Sequence, residues 1–165
     1  MKKLLMAAVA VASIVATPAM AAAAAQYDVT ATVNPVCGAV AGGTITFGTS
    51  VTNASGDIAA SATAPGTADS TAYCNGFNST VTVTHTAMAL LSPPATLPSN
   101  FSTSINFTPV LTSNGLNTPI SGDPSGVTIG AFSSLTVSAK TPTSSARPFA
   151  GNYAGSITVT LTPAT

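Results

Sequence analysis

One histidine and two cysteines are the side chains of this 165-residue chain best suited to chemistry. Nucleophilic or general acid–base catalysis needs a base beside a nucleophile, oriented by a third group. The only candidate imidazole is His85, in "TVTHTAM", where it falls in phase with Val81 and Val83 and so reads as a structural residue of a strand. The chain has no glutamate, and its four aspartates, Asp28, Asp57, Asp69 and Asp123, are scattered among turn-like stretches. Asp123, in "SGDPSG", reads as a turn residue. Serines are plentiful, but no G-x-S-x-G elbow presents one. Cys37 and Cys74 do not form a C-x-x-C pair, which argues against redox work, and one histidine is too few for a clustered metal site. We therefore expect a non-enzymatic protein with no catalytic, cofactor or metal site. Lys140 and Arg147 read as solvated loop charges. Sequons begin at Asn53, Asn78, Asn100 and Asn106, but such matches arise by chance in a chain this rich in Ser and Thr, and they leave glycosylation open.

The first residues say where such a chain would work. In "MKKLLMAAVAVASIVATPAMA", Lys2 and Lys3 precede an apolar run too short to cross a bilayer, and Ala19-Met20-Ala21 is a small-x-small cleavage site. Residues 1–21 thus read as a bacterial-looking secretory signal peptide, with no later run long enough for a transmembrane helix. About 144 residues remain, the size of a single domain. An even pair of cysteines in an exported chain reads as a Cys37–Cys74 disulfide. After the leader the only cations are Lys140 and Arg147. A groove for phosphates needs several Lys or Arg on one face, so nucleic acid is excluded as a partner, as is a polybasic membrane patch. Low charge also removes a defence against association, which suits a protein that sits beside copies of itself.

The elements that must position these residues are strands. "GTITFGT" alternates with Ile45 and Phe47 on one face. "STVTVTHTAM" does so with Val81 and Val83. "FSTSINFTPVLT" aligns Phe101, Thr103, Ile105 and Phe107, "FSSLTVSAK" aligns Leu135 and Val137, and "YAGSITVTLT" aligns Tyr153, Gly155, Ile157, Val159 and Leu161. Weaker strands are expected near Asp57–Ala62, Ser70–Cys74 and Gly126–Ile129. Asn114-Gly115 is expected to form a type I′ hairpin turn with φ > 0 at both positions. The Ala-rich "IAASATAPGTADS" holds helix formers but is broken by Pro65-Gly66. No helical periodicity follows the leader, and seven to nine short strands predict an all-β fold, a β-sandwich of immunoglobulin type.

One strand has an ambiguous home. "QYDVTATVNPVC" alternates cleanly, with Tyr27, Val29, Ala31 and Val33 on one face, yet nothing but the leader precedes it. It either begins a self-contained sandwich or pairs with a neighbouring molecule.

Taken in order, these motifs resemble subunits of chaperone–usher pili, most closely the archaic type with the spore coat protein U domain. The likeness rests on "YDVTATVNPVC" running into the first cysteine, "GGTITFGT", "STAYCNG" with the second cysteine, "INFTPVLTSNGLNTPI", and the closing "PFAGNYAGSITVTLTP". The last segment is also similar to pilins of the alternate type. The resemblance implies an incomplete immunoglobulin-like sandwich at 37–165, preceded by a donor-strand segment at 22–36. It implies that Tyr27, Val29, Ala31 and Val33 plug the groove of an adjacent subunit, lined there by Ile157, Val159 and Leu161. The implied partners are copies of itself or other pilins, with a periplasmic chaperone and an outer-membrane usher during assembly. The implied setting is an extracellular pilus serving adhesion and biofilm formation. The alternative from the residues alone is a self-contained secreted β-sandwich that binds carbohydrate or another surface ligand. The absence of Trp and the scatter of the three Tyr weigh against sugar-stacking platforms.

Overall fold

Runs of Val, Ile and Thr favour a pleated, half-buried backbone, and among the described residues nine strands form, the longest of them on such runs. The computed structural model describes residues 28–38, 40–59, 61–69 and 71–165, and the side chains of all of these but 49 and 50. The strands are β1 (Thr63–Asp69), β2 (Ser79–Leu90), β3 (Phe101–Ser102), β4 (Ser104–Ser113), β5 (Ile120–Ser121), β6 (Val127–Ile129), β7 (Leu135–Thr143), β8 (Arg147–Pro148) and β9 (Tyr153–Thr162). Among the described residues there is no α-helix, and the one helical turn is a 3-10 turn at Gly48–Val51. The chain divides into two compact units, residues 1–32 and 33–165. In the first, the described residues 28–32 form no strand and are exposed.

The second unit is an all-β sandwich built from one antiparallel sheet that turns back on itself. Its strand order is β1-β7-β4-β2-β6, with β5 added to β4 and β9 added to β2. Strand β4 joins the two layers. Its start pairs with β2 (Met88↔Ile105), and the rest pairs with β7 (Leu111↔Val137). Inward residues of both layers meet in a core of Val81, Val83, Leu111, Ile129, Phe132 and Leu135. Fully burying a side chain of this kind contributes roughly 1.5–3 kcal/mol. A smaller cluster of Ala64, Phe107 and Ala139 adjoins Ile45, Phe47, Met88 and Ile157. Strands β3 and β8 form a separate parallel pair.

Three irregularities shape the sheet. Strand β2 carries an extra residue opposite β9 between Thr86 and Ala89, and this bulge brings its backbone against Gly155. A Cβ there would lie 2.6 Å from the Thr86 carbonyl oxygen and 3.0 Å from the Met88 nitrogen, so only glycine fits. Strand β1 is bulged between Ala64 and Thr67, at Pro65-Gly66, which is where an edge strand tolerates proline. The register of β7 against β4 shifts beside Thr141, which has φ 45°, a left-handed conformation that is costly for a β-branched residue.

Several expectations are corrected. "GTITFGT" is not a strand: Ile45 and Phe47 do turn toward the core, but the backbone finds no ladder partner among the described residues. Near Asp57–Ala62 there is only an isolated bridge, Thr52↔Ile58, and near Ser70–Cys74 only bridges at Cys74. The segment from Phe101 breaks at Thr103 into β3 and β4, because Phe101 pairs with Arg147 in the separate parallel pair. Neither Asn114 nor Gly115 has φ > 0, so the turn is not type I′. Gly115 is needed there for space, since a Cβ would meet the Ala131 carbonyl oxygen at 2.4 Å. The Ala-rich stretch supplies β1, where the pairing partner β7 overrides local helix propensity.

Candidate functional site

The last strand alternates as its sequence requires. Along β9, Ile157, Val159 and Leu161 are half-buried, while Thr158, Thr160 and Thr162 face solvent. All three apolar residues pair in register with β2, opposite His85, Val83 and Val81. On its other side β9 pairs with no described strand. This leaves a ten-residue edge, roughly 33 Å long at strand rise, with no charge and no proline. The long edge on β1 is treated differently, being interrupted by the Pro65-Gly66 bulge, and the edges on β5 and β6 are only two and three residues long.

Between the β9 and β1 edges lies a groove of 880 Å³. Ile157 and Val159 form one wall, Thr67 and Asp69 of β1 the other, and Phe107 and Ala139 are among its apolar lining. The segment 40–48 also lines it, with Ile45 and Phe47 packed beside Phe107 and Ala139. That segment is tied at Ala41 to Asp69, whose carboxylate accepts hydrogen bonds from the Ala41 and Thr71 backbone N–H groups, from the Ala72 N–H at 3.3 Å and from the Thr71 hydroxyl at 2.7 Å. These bonds, the Thr71 hydroxyl first and its N–H next, hold the Asp69 carboxyl below the usual range, with burial opposing them.

Of the residues singled out from sequence, Cys37 and Cys74 are joined in a disulfide. Around it the segment 34–38 runs beside 73–76: Gly38 N–H donates to the Tyr73 carbonyl at 2.8 Å, and Val36 N–H donates to Asn75 Oδ1 at 2.6 Å. Ile157 and Val159 line the groove. Leu161 lies further along, at a void of about 10 Å³ among Val81, Leu111 and Ile129. Val29, Ala31 and Val33 are exposed and in no strand. Tyr27, the leader 1–21 and the start of the 22–36 segment lie outside the described residues.

His85 is structural in its contacts but does not act alone. Its Nδ1 lies 2.7 Å from Asp123 and its Nε2 2.8 Å from Asn106 Oδ1, with the ring 5.0 Å from that of Phe107. Asp123, expected to be a turn residue only, thus fastens its loop to β2. Arg147, expected to be a solvated charge, donates from Nε to Asp57 at 3.2 Å. Among the described residues no group of three or more His, Cys, Asp or Glu side chains could hold a metal. No described helix is long and apolar enough to cross a membrane.

Sequence reading missed β1 and the Asp69 clamp, and with them the far wall of the groove. The available signal was Pro65-Gly66 inside "TAPGTAD", which marks a bulged edge strand once a partner is assumed. Comparisons of the chain with protein-family models, characterised proteins and solved structures give no match.

Proposed function

We propose that this chain is a non-enzymatic structural subunit of an extracellular fibre, polymerised by donation of the N-terminal strand of one copy to the next. It would act in a pilus of the chaperone–usher kind that its sequence resembles, in adhesion and biofilm formation. The chaperone and usher would escort it through the periplasm.

The observation that supports this reading is the bare edge of β9 beside a groove lined in part by apolar side chains. An unpaired, uncharged edge of that length is a template for another strand. A segment with apolar residues at every second position satisfies that backbone and lowers its side chains into the groove. Val29, Ala31 and Val33 have the required spacing, and each valine so buried would contribute on the order of 1.5–3 kcal/mol. The contact is heterologous and does not close, so it builds a fibre.

The groove volume also falls within the roughly 300–1,000 Å³ of small-ligand sites, which keeps a self-contained ligand-binding sandwich as the second reading. The exported protein, co-produced with its assembly factors, separates the two on an unboiled SDS gel. Strand donation gives a heat-sensitive ladder that is abolished by deleting Gln26–Val33 and by Val159→Arg in the groove wall. A single monomer band from a chain that unfolds cooperatively by itself would overturn the proposal.

A further inference from the structure

The large apolar side chains left exposed among the described residues are few and unevenly placed. Phe77, 78% exposed, lies two residues before β2, and Leu91, 65% exposed, directly follows it. The two therefore mark opposite ends of the longest strand, at most roughly 46 Å apart at strand rise. Around Phe77, the paired segments 34–38 and 73–76 add Val36 and Tyr73, both exposed. Neither these segments nor "LLSPPATLP" at the other end contains a charged residue.

We infer that the Phe77 end of one copy seats on the Leu91 end of the copy that accepts its strand, so that successive subunits touch end to end. This rests on the strand-donation reading above. The occupant follows from chain length. Val33 would be the last plug in the neighbour's groove, while Cys37 is fixed to Cys74 in its own sandwich. Three residues separate them, and four Cα steps span at most about 14 Å. The Phe77 end cannot swing far from the mouth of the groove it feeds.

Which mouth it meets follows from strand direction. Every other strand in this sheet pairs antiparallel. A donor antiparallel to β9 places Val33 beside Tyr153, where β9 begins. Leu91 is fastened at that end: its N–H donates to the Asn152 carbonyl at 2.9 Å, and Asn152 lines the groove. A parallel donor would place Val33 beside Thr162 instead, against the end where β2 starts. Pro93 and Pro94 stiffen the Leu91 loop, so little conformational freedom is lost when it is covered.

The test replaces Phe77 with a photoreactive benzophenone residue in the full chain, assembled with its partners and irradiated. Peptide mapping is expected to find intermolecular cross-links to residues 91–98. Leu91→Ser should lower the cross-linked fraction severalfold while leaving the SDS-resistant ladder intact, because the donated strand is unchanged. A normal ladder with cross-links elsewhere, or with none, overturns the end-to-end contact alone. Failure of the unsubstituted protein to form a ladder overturns strand donation, and this contact with it.

Discussion

Asp123 meets Nδ1 of His85 at 2.7 Å across 38 residues of sequence, while Asn106 Oδ1 faces Nε2 at 2.8 Å. Asn106 Oδ1 also accepts the Phe107 N–H at 2.9 Å, which fixes the amide's orientation. Both ring nitrogens therefore face acceptors, and only the doubly protonated imidazolium can donate to both. The hydrogen bond to Asp123 raises the pKa of His85 most. The bond to Asn106 and the Asp123 charge add to it, and burial opposes it.

Because the folded value is raised, this contribution to stability is complete below the unfolded value of about 6.5 and is lost as pH rises through the folded one. Asp123 is the charged group facing the ring; Asn106 and Phe107 on β4 are neutral. As the only histidine, His85 gives one imidazole signal in proton NMR. Its midpoint should lie above 6.5 and fall in Asp123→Ala, with the alkaline loss of melting temperature reduced. An unchanged midpoint would refute the pairing.

Asp69 should act in the opposite direction. Its folded pKa is lowered, so its contribution is present above the unfolded value of about 3.9 and lost as pH falls through the folded one. Asp69→Asn should unfold less steeply with acid than the parent and be less stable at neutral pH. Parallel acid-denaturation curves for the two proteins would contradict this.

The Cys37–Cys74 bridge closes a loop with a sequence separation of 37. Constraint of the unfolded chain by a loop of that size is worth about 3.5–4 kcal/mol. Cys37→Ser with Cys74→Ser should shift the urea midpoint down accordingly, and a reductant should have no further effect. A shift under about 1 kcal/mol would mean that strain offsets the constraint.

Gly155→Val should destabilise the sandwich by about 1–3 kcal/mol, because the clash is with β2 backbone rather than with a movable side chain. Thr158→Val, on the exposed face of the same strand, should stay within about 0.5 kcal/mol of the parent. Equal effects in chemical denaturation would remove the role assigned to the bulge.

Long period-two runs were legible before any coordinates. "YAGSITVTLT" is β9 residue for residue, and Val81 and Val83 face the core as their spacing requires. Alternation of apolar residues with Thr decides which face is buried, and a chain without helical periodicity has few other ways to hide it. The disulfide followed from there being one even pair of cysteines.

Ladder partners were not legible. Ile45 and Phe47 pack inward although their segment joins no strand, and the Ala-rich stretch becomes an edge strand because β7 lies beside it. Hydrogen bonding to a distant segment is a tertiary property, and local propensity is too weak to forecast it. The same holds for His85: its phase placed it inside, but the two acceptors waiting there come from β4 and from the loop before β6. By itself, then, the sequence determined the all-β class, the buried faces and the covalent link. Only the tertiary structure decided which edges stay open, because an edge is defined by the strand that is not beside it.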